Sequence, residues 1–159
     1  MIFVTVGSQK FQFNRLLKEI DNLIDKKIIN EDVFAQIGAS DYKPLNYRYT
    51  DYLTQDEFKK KISESDLIIT HAGTGGIITA LKKHKKVIGV PRLSKYEEHV
   101  DNHQIELINE FKSLNLIEPV YDITQLGNAV TIIKEKKYNQ YVSNTKVIKE
   151  DIKKYLMGE

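Results

Sequence analysis

The chain of 159 residues has no cysteine. That excludes a disulfide framework and any thiolate metal site, and with them the small stapled domains of secreted proteins. Long apolar runs are missing too: no stretch approaches the roughly 20 residues that a membrane-spanning helix requires. The opening MIFVTVG is apolar but lacks the basic start and extended apolar core of a signal peptide. Nor is there an excess of either charge, since 24 basic residues nearly cancel 22 acidic ones and leave a net charge of +2. A clustered basic face, the footprint of nucleic-acid binding, is therefore not expected. No internal repeat, low-complexity stretch or linker interrupts the sequence. What remains is an ordinary balance, 41% hydrophobic and 29% charged residues. It fits a single soluble, cytoplasmic domain large enough to bury a proper core.

Short strands alternate with longer helices along the chain. MIFVTVG is a continuous β-branched run closed by Gly7, which suits a strand buried on both faces. In FQFNRLLKEIDNLI the residues Phe13, Leu16, Leu17, Ile20, Leu23 and Ile24 recur at helical spacing. VFAQIG (33–38) reads as a second strand and YRYTDYL (47–53) as a possible third. Thr54 and Glu57 have capping-box spacing ahead of the helix QDEFKKKISES. DLIIT then gives a strand, GGIITALKKH a helix, and KVIGVP a strand stopped by Pro91. NHQIELINEFKSL, LIEPV and ITQLGNAVTIIKEK follow as helix, strand and helix. From Asn139 to Met157 the spacing predicts one long amphipathic helix, with Ile148, Ile152, Tyr155 and Leu156 on one stripe. Its lysines Lys146, Lys149, Lys153 and Lys154 lie opposite, interspersed with Glu150 and Asp151. They suit an ordinary solvated face or a contact with anionic lipid. Such alternation predicts an α/β fold, a parallel sheet with helices on both faces, and ligands outside the carboxyl ends of its strands.

Three strand-to-helix loops are unusual. The fourth strand runs into HAGTGG, where Gly73, Gly75 and Gly76 gather at a helix start. A helix N-terminus there would turn unpaired N–H groups and partial positive charge toward an anion, with His71 and Thr74 as further donors. Phosphate or diphosphate is the natural guest; the alternative is a tight turn that needs glycine for close packing. The corner is not a P-loop, because no Gly-Lys-Ser/Thr follows, and it is a poor dinucleotide fingerprint. Gly7 and Ser8 close the first strand in a weaker version of the same arrangement, equally readable as a simple turn. The third loop, from Pro91 to Gln104, is long and crowded with polar side chains, and long loops are often functional. Asp101, Asn102, His103 and Gln104 offer the directional donors and acceptors that sugar hydroxyls require, though Asp101 or Asn102 could equally cap the next helix. His99 and His103 stand four apart without the glutamate of a zincin helix, so no metal is expected. Tyr47 and Tyr49, on alternate positions of a strand, and Tyr52 beyond them are either core residues or part of a docking surface.

MIFVTVGS, ITHAGTGGIITAL and VPRLSKYEEHVDNHQIEL occur in this order with the spacing of the carboxyl-terminal half of family 28 glycosyltransferases. The chain resembles the small soluble subunit of two-component glycosyltransferases, which includes the eukaryotic dolichol-linked N-acetylglucosaminyl transferase. SKYEEHVDNHQ resembles the bacterial capsular and exopolysaccharide enzymes more closely. The resemblance implies the Rossmann-like carboxyl-terminal half of a GT-B fold that binds a UDP-sugar without metal. It implies a membrane-associated partner that binds a lipid-linked saccharide acceptor and supplies the general base. The chain itself would be cytoplasmic and recruited to the inner face of the membrane. Gly7, Ser8, His71, Gly73, Thr74, Gly75 and Gly76 match the family's diphosphate loops. His103 and Gln104, with Asp101 and Asn102 adjacent, match the pair that reads the donor hexose. Thr79 stands where many relatives carry a carboxylate for the ribose diol, so the ribose contact is reduced to one hydroxyl. The alternatives are a non-catalytic enhancer of a partner transferase and an unrelated small nucleotide-binding module.

Overall fold

The computed structural model describes residues 1–142. Eleven principal elements follow the alternation just read: β1 (Ile2–Thr5), α1 (Asn14–Asp25), β2 (Val33–Gln36), β3 (Arg48–Thr50), α2 (Gln55–Glu64), β4 (Leu67–Thr70), α3 (Thr74–Lys82), β5 (Lys86–Gly89), α4 (His103–Ser113), β6 (Glu118–Pro119) and α5 (Leu126–Ile132). The strands form a 6-stranded sheet in the order β3-β2-β1-β4-β5-β6. Every pairing is parallel. This order is that of doubly wound nucleotide-binding folds, and the direction of winding reverses between β1 and β4.

Side chains alternate across the sheet, so each central strand feeds two cores. Val4 of β1 and Ile69 of β4 join Leu16, Leu17 and Ile20 of α1 and Val130 of α5 on one face. Phe3 and Ile68 join Ile62 of α2, Ile77 and Ala80 of α3, and Leu107, Ile108 and Phe111 of α4 on the other. These side chains are buried, and each Val, Leu, Ile or Phe among them stabilises the fold by roughly 1.5–3 kcal/mol relative to exposure.

Local departures from the expected boundaries have identifiable causes. The first helix begins at Asn14, because Ser40 Oγ accepts from Phe13 N and Gln12 Oε1 from Asn14 N before the helical ladder starts. The last described helix is short: Asp122 caps a 3-10 turn at Ile123–Gln125, and α5 follows from Leu126. The tail helix expected from Asn139 does not start there, and residues 139–142 are non-helical. Asn139 instead donates from its backbone N to Asn115 O (2.8 Å) and from Nδ2 to Leu114 O (2.9 Å), tying the chain to the end of α4. The remainder of that expected helix lies outside the described residues. None of the described helices is long and apolar enough to cross a membrane.

A buried carboxylate organises the connection between β2 and β3. Asp21 accepts from Tyr42 Oη (2.5 Å), Leu45 N (2.9 Å) and Asn46 N (2.9 Å). Among the three tyrosines of that region, Tyr47 is a core residue, 9% exposed, whose hydroxyl donates to Leu17 O. Tyr49 and Tyr52 are 39% and 53% exposed.

Candidate functional site

Polar residues end three adjacent strands at one level. Thr5 of β1 is in register with Gln36 of β2 on one side and Thr70 of β4 on the other. Thr5 Oγ1 donates to Gln36 Oε1 (3.1 Å) and accepts from Gly7 N (3.3 Å), which draws the β1–α1 loop over the strand ends. Gly7 takes φ +79°, the left-handed region that a side chain disfavours. Above this row lies a cavity of about 330 Å³, lined by Gly7, Ser8, His71, Gly75, Gly76 and Thr79 and walled by Leu53, Thr54, Gln55, Phe58 and Lys59. It sits at the reversal point of the sheet, where such folds bind ligands.

The helix α3 opens onto this cavity. It starts at Thr74, and Gly73 at its N-cap provides no side-chain hydrogen bond to its first turn. A Cβ at Gly75 would meet nothing within 4 Å, so the backbone there is open to the cavity. Uncapped N–H groups, a helix dipole and a bare backbone are the features that favour an anion. Lys59, from α2, is also among the lining residues. Thr74 Oγ1 is buried with no hydrogen-bond partner.

His71, expected as a further donor, sits where the first and fourth strands run into their loops. Its ring is sandwiched between the two loops: a Cβ at Gly7 would lie 2.7 Å from its Cε1, and one at Gly73 2.6 Å. These two glycines are needed to admit the imidazole, whereas Gly75 leaves room for a ligand. His71 Nδ1 lies 3.4 Å from Thr70 Oγ1 and 3.5 Å from Thr5 O, the tautomer deciding which bond forms. Burial, and then the nearby charge of Arg92, lowers its pKa from 6.5 to about 3, so the ring is neutral at physiological pH. It can offer one hydrogen bond and no charge.

The long loop after β5 is fastened beneath the β1–α1 loop. Arg92, with no exposed surface, donates to Val6 O, to Phe11 O (3.1 Å) and to Glu98 O (3.4 Å). The Glu98 carboxylate is engaged elsewhere, accepting from Arg15 Nε (2.9 Å), an Arg15 terminal nitrogen (3.0 Å) and Leu93 N (3.0 Å). Burial lowers Arg92 to about 10, and Glu98 offsets part of that, so it remains cationic at neutral pH.

The residues 101–104 do not line the cavity. Asp101 Oδ1 accepts from His103 N (3.0 Å), and Asp101 N donates to His99 Nδ1 (3.4 Å); the carboxylate lies 3.2 Å from His99 Nδ1 and 3.6 Å from His103 Nδ1. Asn102 Oδ1 accepts from Ser94 N and Oγ, and Gln104 Oε1 from Arg92 N (2.9 Å). Asp101 thus serves the helix start, as one of its two readings held. His99 packs on the Phe11 ring, centroids 5.3 Å apart.

Sequence reasoning missed Thr5, Gln36, Thr70, Leu53, Phe58 and Lys59 as cavity residues. The signal for the first three was present: polar residues ending otherwise apolar parallel strands. Phe58 was hidden in a helical pattern, although its ring also packs edge-on against Phe3 of the core at 5.5 Å.

Comparison with known proteins places this geometry. The C-terminal domain of glycosyltransferase family 28 matches residues 1–156. The chain belongs to that family. The reading as an unrelated nucleotide-binding module is thereby set aside. The chain is 27% identical over 116 residues to the human UDP-N-acetylglucosamine transferase subunit ALG13, covering 69% of this chain and 10% of that protein. It is 37% identical over 76 residues to the ALG13 subunit of Candida albicans, covering 48% of this chain and 23% of that one. The chain thus spans only a tenth to a quarter of the curated relatives it matches. Among solved structures, the NMR structure of ALG13 superposes with a TM-score of 0.60 at 20% identity, covering 94% of this chain and 92% of that one. MurG of Acinetobacter baumannii gives 0.57 at 16% identity, covering 83% of this chain and 41% of MurG. SnogD of Streptomyces nogalater gives 0.61 at 17%, covering 84% and 34%. The shared fold is the Rossmann-like half of these glycosyltransferases.

Proposed function

We propose that this family 28 domain is the donor-binding subunit of a two-component inverting glycosyltransferase. It takes a UDP-sugar and, with a membrane-associated partner subunit, glycosylates a lipid-linked saccharide in capsular or exopolysaccharide assembly. The observation that carries the reading is the cavity at the β1/β4 reversal point, where the bare start of α3 faces Gly7 and Ser8. The diphosphate would lie on those N–H groups, with Lys59 of α2 in the same cavity. Leu53 and Phe58 give an apolar wall for the uracil ring. Thr79 Oγ1 donates to Gly75 O (2.8 Å), which leaves its oxygen as a single acceptor for a ribose hydroxyl.

In the reaction an acceptor hydroxyl attacks the anomeric carbon from the face opposite the diphosphate. The bond from that carbon to the diphosphate oxygen breaks with inversion, UDP leaves, and the hydroxyl proton passes to a base supplied by the partner. Negative charge grows on the departing diphosphate, and the fixed N–H groups of α3 stabilise it without reorganising. No metal is called on for this step. Gln104, held by Arg92 N through its Oε1, and His103 would read the donor hexose beyond the cavity, whose lining they do not join. The chain works from the cytoplasmic side, recruited to the membrane by its partner.

The test is sugar transfer from labelled UDP-sugars, UDP-N-acetylglucosamine included, to lipid-linked acceptor in membranes. This chain alone, its partner alone, both together, and both with His71→Ala or Gln104→Ala are compared. Transfer only with both proteins, lost in the variants, supports the reading. Transfer by the partner alone, merely boosted by this chain and indifferent to the substitutions, would make the chain an enhancer.

A further inference from the structure

Two guanidinium groups and one carboxylate are buried together below the β1–α1 loop. Glu98, whose side chain is 1% exposed, forms its ion pair with Arg15, 15% exposed. Arg92 is fully buried, yet among the described residues it makes no ion pair; its three bonds go to backbone carbonyls. Its Nε has no hydrogen-bond partner among the described residues. Burying a cation without a carboxylate contact is costly, because three carbonyl bonds only partly replace its hydration. The group therefore carries one surplus positive charge, and the carbonyl of Val6 brings that charge to the residue preceding Gly7. Gly7 lines the anion-binding end of the cavity.

We propose that Arg92 is a positioning residue for the donor diphosphate: its carbonyl bonds fix the positive-φ loop at Gly7, and its unpaired charge attracts the phosphates through that loop. The inference rests on the donor-binding reading above. It also explains why the loop after β5 is spliced to the first: Arg92 N is the donor that holds Gln104 Oε1, so one residue sets both the phosphate loop and the sugar-reading loop.

The test is an NMR titration of the chain with UDP, UMP and uridine, a series that differs only in phosphate charge. Arg92→Met is expected to weaken UDP about tenfold or more, UMP less, and uridine hardly at all, because a lost unit charge acts on phosphate alone. Arg92→Lys keeps the charge and should retain the preference for UDP over uridine. Arg15→Gln keeps every Arg92 bond but leaves Glu98 to neutralise Arg92, so it should weaken UDP several-fold and spare uridine. This variant decides the matter even where Arg92→Met does not fold. Equal losses for all three ligands would mean a structural brace only and would overturn the proposal. Tight UDP binding that is unchanged in Arg15→Gln, and in Arg92→Met where it folds, would overturn it while leaving the donor reading intact. Failure of the unaltered protein to bind UDP would overturn both.

Discussion

Gly75→Ala should make the protein more stable and less able to bind its ligand. A methyl at this position meets no atom within 4 Å, and the residue is helical, so the folded state accepts it without strain. Alanine is favoured over glycine in a helix by about 0.5–1 kcal/mol, less at the first turn. For a chain of this size that corresponds to a rise in Tm of roughly 1–4 °C. The same methyl occupies the space through which a diphosphate oxygen reaches the helix N–H groups. Losing one charged hydrogen bond with its desolvation should weaken UDP by about tenfold or more. Gly7→Ala supplies the contrast. There the Cβ would lie 2.7 Å from the His71 ring, at φ +79°. The ring is held between two loops and cannot swing away cheaply. Left-handed strain of about 1–2 kcal/mol and overpacking of about 1–3 kcal/mol add to roughly 2–5 kcal/mol of destabilisation. Thermal unfolding followed by circular dichroism, beside UDP titration, reads both quantities. A Gly75→Ala protein that melts lower, or binds UDP as before, would refute the assignment of that open backbone to the ligand.

The remaining predictions concern stability and titration. The His71 ring is held neutral with a pKa lowered from 6.5 to about 3, so the unfolded chain binds the extra proton between those values. Stability from this group is complete above pH 6.5 and is lost as pH falls toward 3; His71→Gln should flatten that part of a urea-denaturation profile. Thr54→Ala removes the capping box in which Thr54 Oγ1 accepts from Glu57 N and the Glu57 carboxylate from Thr54 N. It should cost about 1 kcal/mol in the same denaturation assay. Asp21→Ala leaves two backbone N–H groups and the Tyr42 hydroxyl without their acceptor, and should cost about 2–4 kcal/mol. Hydrogen exchange at Leu45 and Asn46 should speed up with it.

Strands and helices were legible because each carries its own period: β1 and β4 are uninterrupted apolar runs, and the apolar spacing of α1 is helical. The glycine corner was legible for a mixed reason. Gly75 faces open space as an anion site requires, while Gly73 is glycine because an imidazole lies against it. No spacing rule distinguishes these two, since the deciding atom belongs to a residue packed from another direction. Arg92 shows the same limit from the other side. As sequence it is one more polar residue in a crowded loop, but it is fully buried under carbonyls supplied by residues 6, 11 and 98. Tertiary proximity of that kind leaves no local trace.

The sheet described above ends in two very short strands: β3 has 3 residues and β6 has 2, the second being Pro119. Proline has no N–H to donate, and so brief a ladder offers an incoming strand little to pair with. The molecule is thereby protected against sheet extension and fibre growth at both margins. Any lasting association should instead be made by side chains and loops, and it should survive substitutions that disrupt backbone pairing at either edge.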